Sequence, residues 1–489
     1  MSEARMSTLV MPRVCALVAA LVLAGCAAVG PDHQVPPLQL DASFIQPGSA
    51  QPDSRPASPE IVAFWRGFND AQLTALIERA VAANGDVRIA QARLQEARAG
   101  LDEADAAGRP GAGFSGSAER AVQPITQRPG TTRGQRTGNT FDASFIANWE
   151  IDLFGGLRRG QEAAAARVSA SEAGISAAHT AVAAEVARNY LELRGLQQRR
   201  QVTDQALSNQ RESLRITQAR VDAGRASELD LARAKTLVAS TEAALPALDN
   251  AIDRTVLRLA TLTAQPPRPL MASLSAPMPM PSLPVTDLSA LPVGTPQGWL
   301  QRRPDLIVAE RELAAANADI GVAKAALYPR LSLSGLLGFN SARSSDLFDA
   351  ASGRWALGAG ITWTPLDGGA LRARVRASEA RAQQSVVRFE QTVALALEET
   401  EGAFSSFSRE SQRAARLDEA ARQAETAAQL ARVRFEAGVT DFLAVLDAER
   451  EALSQRDALV QAQVGTAGAL VAVYRSLGGG WTPPAQPAR

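Results

Sequence analysis

Trp149-Glu150-Ile151-Asp152-Leu153-Phe154-Gly155-Gly156-Leu157-Arg158 and Trp363-Thr364-Pro365-Leu366-Asp367-Gly368-Gly369-Ala370-Leu371-Arg372 stand 214 residues apart and open two stretches, 149–231 and 363–445, that match without a gap. Leu157-Arg158 matches Leu371-Arg372, Arg220 matches Arg434, and Ala223-Gly224 matches Ala437-Gly438. Upstream the offset becomes 219, aligning Asp86 with Asp305, Leu94 with Leu313, Pro110 with Pro329 and Gly116 with Gly335. The change of five residues falls in a Gly/Pro/Thr-rich loop, where length is tolerated. Two copies of about 200 residues make a duplicated architecture and no short-repeat solenoid.

Side chains from Phe141 to Phe154 alternate, with Phe141, Ala143, Phe145, Ala147, Trp149, Ile151 and Leu153 on one face and Asp142, Ser144, Asn148, Glu150 and Asp152 on the other. Period two over this length suits a tilted strand that spans a bilayer. The duplicate sets Trp355, Leu357, Ala359, Ile361, Trp363 and Pro365 against Arg354, Gly358, Gly360, Thr362 and Thr364. Weaker alternation over 114–122 and 331–339 supplies the earlier arm of each hairpin, so hairpins are expected at 114–154 and 331–366, with loops of turn-formers at 123–140 and 340–353. Only 5% of the chain is aromatic, yet tryptophan and phenylalanine gather on these apolar faces, which favours lipid over a soluble core. In hydrocarbon every backbone group needs a partner, so only a closed barrel survives, and four strands leave two open edges. Closure has to come from further copies of the chain; eight, twelve and sixteen strands are all open on this reasoning.

Helix is expected at 86–107, 158–223 and 227–264 in the first repeat, which runs over 86–264, and at 305–327, 371–437 and 440–477 in the second, which runs over 298–478. The two long stretches are rich in Ala, Glu, Gln and Arg and lack proline; at about 1.5 Å per residue each reaches roughly 100 Å. Heptad rows mark helices packed side by side: Val168, Ile175, Val182; then Val186, Leu193, Leu207, Leu214, Val221; and later Leu446, Leu453, Val460, Ala467, Tyr474. The apolar stripes are narrow, as fits the wall of a solvated hollow cylinder. A Pro-rich stretch over 265–297 is expected to link the repeats as irregular extended chain, and a tail follows at 479–489.

Charge is balanced, 51 basic against 51 acidic residues, so no nucleic-acid partner is expected. The apolar run 14–24 behind Arg13 is too short for a membrane span and has the length of a signal-peptide core. It ends in Leu23-Ala24-Gly25-Cys26, which resembles a bacterial lipoprotein processing site: removal of 1–25 leaves acylated Cys26 at the head of an extended segment and equatorial region over 26–85. Cys15 lies in the removed part, so no disulfide or thiol chemistry is left. Ala27 after the cysteine resembles lipoproteins sorted onward to the outer membrane. No run of about twenty apolar residues offers a transmembrane helix.

In these features the chain resembles the outer membrane factor family, the TolC-like trimeric channel-tunnels, and within it the lipidated NodT-type efflux branch. The resemblance rests on Cys26 followed by Val29-Gly30-Pro31-Asp32-His33; on Phe64-Trp65 near Phe68; on Arg302-Arg303-Pro304-Asp305 opening a helix that ends at Ala326-Leu327-Tyr328-Pro329; on Asp367-Gly368-Gly369; and on Tyr474-Arg475-Ser476-Leu477-Gly478-Gly479-Gly480-Trp481. It implies a mainly α fold with a membrane β part: a homotrimer with a 12-stranded outer membrane β-barrel, four strands per chain, and a 12-helix periplasmic α-barrel. It also implies passive conduction of drugs or other small molecules from an inner-membrane pump of the resistance-nodulation-division type and a periplasmic adaptor. Arg220, Gly224 and Ser227 with Arg434, Gly438 and Asp441 match the tips where the adaptor docks. Asp230 and Asp447 match the periplasmic gate, where symmetry makes rings of carboxylates; Ala444 stands where the second tip of some relatives carries an aspartate. Asp142, Glu150 and Asp152 are expected to line the pore.

Competing readings fare less well. Gly111, Gly113 and Gly116 satisfy G-x-G-x-x-G but follow a helix and open a strand, the wrong context for a nucleotide fold. His33 and His179 are isolated in sequence, so no metal, cofactor or enzyme activity is expected. The exit duct of a type I protein secretion system, and a structural lipoprotein that spans the periplasm without conducting, are the alternatives.

Overall fold

A computed structural model describes residues 28–45 apart from 39 and 42, then 64–286, 288, 295–300 and 302–479. The signal peptide, Cys26 and the tail after 479 lie outside the described residues. In chain order the main elements are α1 (Ala71–Ala83), α2 (Gly85–Ala107), β1 (Gly111–Val122), β2 (Thr137–Ile151), α3 (Gly156–Asp222), α4 (Glu228–Leu262), α5 (Pro267–Leu274), α6 (Pro304–Ala325), β3 (Arg330–Ser341), β4 (Gly353–Thr362), α7 (Ala370–Glu436) and α8 (Phe442–Ser476). Contacts divide the chain into one unit of Met1–Pro37, Arg93–Ser171 and Ala309–Phe389, and another of Leu38–Ala92, Glu172–Val308 and Glu390–Arg489.

The first unit is built on one four-stranded antiparallel sheet in the order β1-β2-β3-β4, so the two hairpins pair with each other through β2 and β3. Strand pairing aligns Phe114, Phe145, Leu337 and Trp355 in one row, and Ala112, Ala147, Gly335 and Leu357 in another on the same face. On the opposite face Asp142 lies beside Asn340, and Glu150 beside Ser332, which pairs with Gly360. Trp149 Nε1 donates to Gly108 O (3.1 Å) and Trp363 Nε1 to Leu327 O (3.0 Å), one contact made once in each repeat.

Three details of the strands differ from the sequence reading. β1 and β2 begin at Gly111 and Thr137, because Thr137 to Thr140 pair with Val122 to Glu119 where loop was expected. β2 ends at Ile151, so Asp152 is not a strand residue: its carboxylate accepts the Arg158 N–H (2.9 Å) at the start of α3. β4 ends at Thr362, and Asp367 accepts from the Gly369 and Leu371 N–H groups at the start of α7 (2.9 and 2.5 Å). An acidic side chain at a helix N-terminus satisfies otherwise unpaired donors, and that use outcompetes continued alternation.

The second unit holds helices packed on narrow seams. α1 starts at Asp70, whose carboxylate accepts from the Gln72 and Leu73 N–H groups, and buries Leu73, Leu76, Ile77 and Ala80 at helical spacing. Beside it Phe64 stacks on Tyr474 with ring centres 4.4 Å apart. The linker is not wholly irregular: α5 forms because Pro267 occupies its first turn, where a missing N–H costs nothing, and Leu270 and Leu274 are buried four residues apart. Its end is held by Gln197, whose Nε2 donates to Leu274 O (2.7 Å), and fully buried Arg194 donates to Gln197 Oε1 (2.7 Å) and to Ala276 O (3.1 Å) just beyond it.

The duplication persists at the level of single contacts. Asn84 Nδ2 donates to Leu262 O (2.9 Å), and at the equivalent place in the second repeat Arg303 Nη1 donates to Ser476 O (3.1 Å). Arg211 bonds Glu242 between α3 and α4 (2.9 Å); the equivalent pair between α7 and α8 is Glu425 with Arg456 (2.5 Å), with the charges exchanged.

Candidate functional site

The polar face of the sheet carries the first candidate surface. Asp142 accepts from Ser144 Oγ (2.8 Å) and Asn340 Nδ2 (3.1 Å), and pairs with Arg354 from β4, so three strands converge on one carboxylate. Its charge is compensated within the chain. Glu150 sits on the same face, in the row of Ser332 and Gly360 and three rows from that of Arg354. The other face is open: Phe114, Phe145, Leu337 and Trp355, one row across all four strands, are 66, 62, 67 and 74% exposed.

The tips carry the second. α3 ends in a Schellman turn, with Gly224 N–H donating to Val221 O (2.8 Å) and Arg225 N–H to Arg220 O (2.7 Å). α7 repeats it through Gly438 N–H to Phe435 O and Val439 N–H to Arg434 O, both 2.9 Å. Gly224 and Gly438 take φ of +69° and +77°, the left-handed region that favours glycine. The next helices are capped alike: Ser227 Oγ accepts the Asp230 N–H (3.1 Å) and Asp441 Oδ1 accepts the Ala444 N–H (3.2 Å). Arg220 donates to the carbonyl oxygens of Phe435 and of Glu436 (3.3 Å), with its guanidinium 4.2 Å from the Phe435 ring centre. Arg434 is exposed.

The two gate candidates differ. Asp230 accepts from Ser227 Oγ (2.7 Å) and lies 3.8 Å from Arg233, so it completes a helix cap, whereas Asp447 is exposed on α8. The tips are held by a buried cluster of Ala234, Leu237, Phe435, Phe442, Val445 and Leu446. Close by, Glu449 is buried: it accepts from Ser213 Oγ (2.9 Å), with Arg432 3.6 Å away, and burial raises its pKa against both partners. Its Oε2 and both side-chain polar atoms of Gln210 lack partners beside a cavity of about 50 Å³.

Among the described residues no cluster of three metal-ligating side chains occurs, and no helix is long and apolar enough to cross a membrane. His33, isolated in sequence, contacts Glu310 (2.6 Å) and Asn317 (3.1 Å), and Arg159 nearby holds Asp32 (2.7 Å), so residues 29–33 are fastened to the first unit.

Comparison with known proteins places this geometry. The family model described as outer membrane efflux protein matches residues 76–265 and 295–479. The chain belongs to the outer membrane efflux protein family. Among curated relatives of this efflux family, outer membrane protein OprJ of Pseudomonas aeruginosa is 32% identical over 473 residues, 96% of each chain. Nodulation protein T of Rhizobium leguminosarum bv. trifolii is 29% identical over 467 residues, 95% of this chain and 97% of its own. Among solved structures, the outer-membrane channel OprN is 38% identical with a TM-score of 0.85, covering 93% of this chain and 99% of that one. For an efflux protein the contacts that sequence reading missed are Arg354 on Asp142, the cap Arg220 gives to α7, and the buried Glu449. Each needs a register between segments far apart in sequence, and no local signal carries it.

Proposed function

We propose that the protein is the outer membrane exit channel of a tripartite efflux system, passively conducting small molecules that an inner-membrane pump and a periplasmic adaptor deliver. The observation that carries this is the sheet: one face carries an exposed aromatic and apolar row across four strands, the other carries Asp142, Ser144, Asn148, Glu150 and Arg354 with a single apolar row at Ile146 and Leu336, and β1 and β4 are unpaired edges among the described residues. Such a sheet is stable in lipid only when the edge of one copy pairs with the edge of the next. Three copies then give twelve strands and a tunnel of twelve helices, as in the family.

In this reading Asp142 and Glu150 face the pore, Asp152 sits at its rim, and lipid on Cys26 anchors each subunit. Adaptor docking at Arg220, Gly224, Ser227, Arg434, Gly438 and Asp441 is supported by the exposed apolar residues Leu229, Val439 and Leu443 around the two turns. Asp230 and Asp447 form the gate, with Asp447 the freer carboxylate. The test is a deletion strain challenged with a panel of drugs and dyes, with the protein purified in detergent for its mass. Restored resistance by the complemented strain and a trimeric mass are expected; full complementation by a strictly monomeric, water-soluble protein would exclude the channel.

A further inference from the structure

We infer that Arg434 is a seam residue: its guanidinium caps the C-terminal end of α3, at the carbonyls of Val221 and Asp222, in a second copy of the chain. The inference rests on the assembly proposed above and adds a specific contact to it.

Arg220 supplies the pattern. Its guanidinium reaches from the first repeat to the last carbonyls of α7, Phe435 and Glu436. The final carbonyls of a helix have no partner within it and carry partial negative charge, so an arginine there both bonds and neutralises them. The offset of 214 residues turns Arg220 into Arg434, Phe435 into Val221 and Glu436 into Asp222.

Contacts made inside one repeat occur twice in this chain: Trp149 with Gly108 and Trp363 with Leu327, Asn84 with Leu262 and Arg303 with Ser476. The Arg220 contact crosses from the first repeat to the second. Its duplicate has to cross from the second repeat to a first repeat, and within one chain Arg434 is exposed instead. The neighbouring side chains agree. Ile216, one turn before Arg220, packs on the buried tip cluster, whereas its duplicate Leu430 is 59% exposed and Val433 beside it 56%. The face that is covered around Arg220 is uncovered around Arg434, and a second copy of α3 and α4 is the surface that the duplication supplies for it. Val221 replaces the Phe435 ring, so this seam has hydrogen bonds without ring stacking.

The functional consequence separates the two tip arginines. Arg220 fastens the two tips of one subunit to each other, and Arg434 fastens neighbouring subunits, so both arginines serve the docking surface proposed above by holding its turns in place and not by bonding the adaptor through their guanidinium groups.

Paired cysteines test this in a chain whose own cysteines are only Cys15 and Cys26. Asp222→Cys with Arg434→Cys, treated in membranes with a short bifunctional maleimide, should give dimer and trimer bands on denaturing gels that neither single variant gives. Arg220→Cys with Glu436→Cys should react within one chain only. Absence of interchain bands from the first pair while the second reacts, or capture of an adaptor in place of a second copy by the Arg434→Cys variant, overturns the inference. Should the double variant not assemble, Arg434→Glu should reduce the trimers that resist SDS several-fold and Arg434→Lys should retain them; equal behaviour of the two overturns it. A trimeric wild-type mass with no 222–434 product defeats this seam and leaves the proposed function standing, while a monomeric mass defeats both.

Discussion

Gly224 and Gly438 hold left-handed φ angles, and nothing stands within 4 Å of where a Cβ would project from either, so a side chain there costs only the backbone term. Gly438→Ala should therefore lower stability by about 1–2 kcal/mol and leave efflux largely intact, whereas Gly438→Pro fixes φ near −65°, removes the N–H that Phe435 O accepts, and should abolish transport. Drug resistance of complemented strains, read beside trimer yield, checks both, and an active proline variant would remove the turn from the docking site. Glu449 works in the opposite direction, as a group whose removal should help the fold. Burial raises its pKa above that of the unfolded chain, so the folded state binds this proton more tightly and ionised Glu449 works against folding at neutral pH. The handicap fades as pH falls through the raised value toward the unfolded one, near 4.3. Glu449→Gln keeps an acceptor for Ser213 and should stabilise the protein by about 1–3 kcal/mol at pH 7. Denaturant midpoints of the two proteins should converge toward pH 4; a gap that widens with acid would reverse the assignment.

At the level of elements the duplication gives paired controls. Asn84 both caps α2, by accepting the Asp86 N–H (2.7 Å), and ties Leu262 O, so Asn84→Ala should cost about 1–3 kcal/mol, while Asn84→Asp should keep the cap and lose the tie. Thermal unfolding distinguishes them: equal losses would show that the tie to Leu262 alone matters, and an unchanged aspartate variant would show that only the cap does. Helices and strands were legible where one rule governed a long stretch: period two in β2, proline-free alanine-rich runs in α3 and α7, glycine at their ends. The heptad row was legible only in part. Val182, Val186, Leu193 and Leu207 are buried, but further along α3 the buried positions are Gln210, Ser213 and Thr217, polar residues that an apolar template passes over. Asp152 misled for a related reason, since an aspartate just past a strand looks the same whether it continues the polar face or caps the next helix. α5 was hidden by its prolines, which read as irregular chain unless their place in a first turn is weighed. Of the candidate sites, the tip glycines could be read from local chemistry; the partners of Asp142, Arg220 and Glu449 depend on strand register and helix pairing that no single segment encodes.

For the whole molecule the decisive question is what the open face of the sheet meets. Leu357 is 81% exposed on β4 and pairs with Gly335, while the adjacent Gly358 pairs with Ser334 on the other face. The two positions share nearly the same height on the sheet and differ in the side they present. In the proposed barrel Leu357→Arg places a charge against lipid, at a cost of about 2–4 kcal/mol per subunit near the bilayer midplane, which three symmetric copies multiply. Ser334→Arg adds the same charge to the pore side, where water solvates it. The first variant should lose most of its heat-resistant trimer in outer membrane fractions; the second should assemble normally and change single-channel conductance and ion selectivity in planar bilayers. If that face instead met water, the arginine at 357 would be solvated and leave assembly in membranes unaffected, and that at 334 would leave conductance unchanged. The comparison at one height isolates the environment of each face from the stability of the strand, because both substitutions add the same side chain to paired neighbours in the same hairpin.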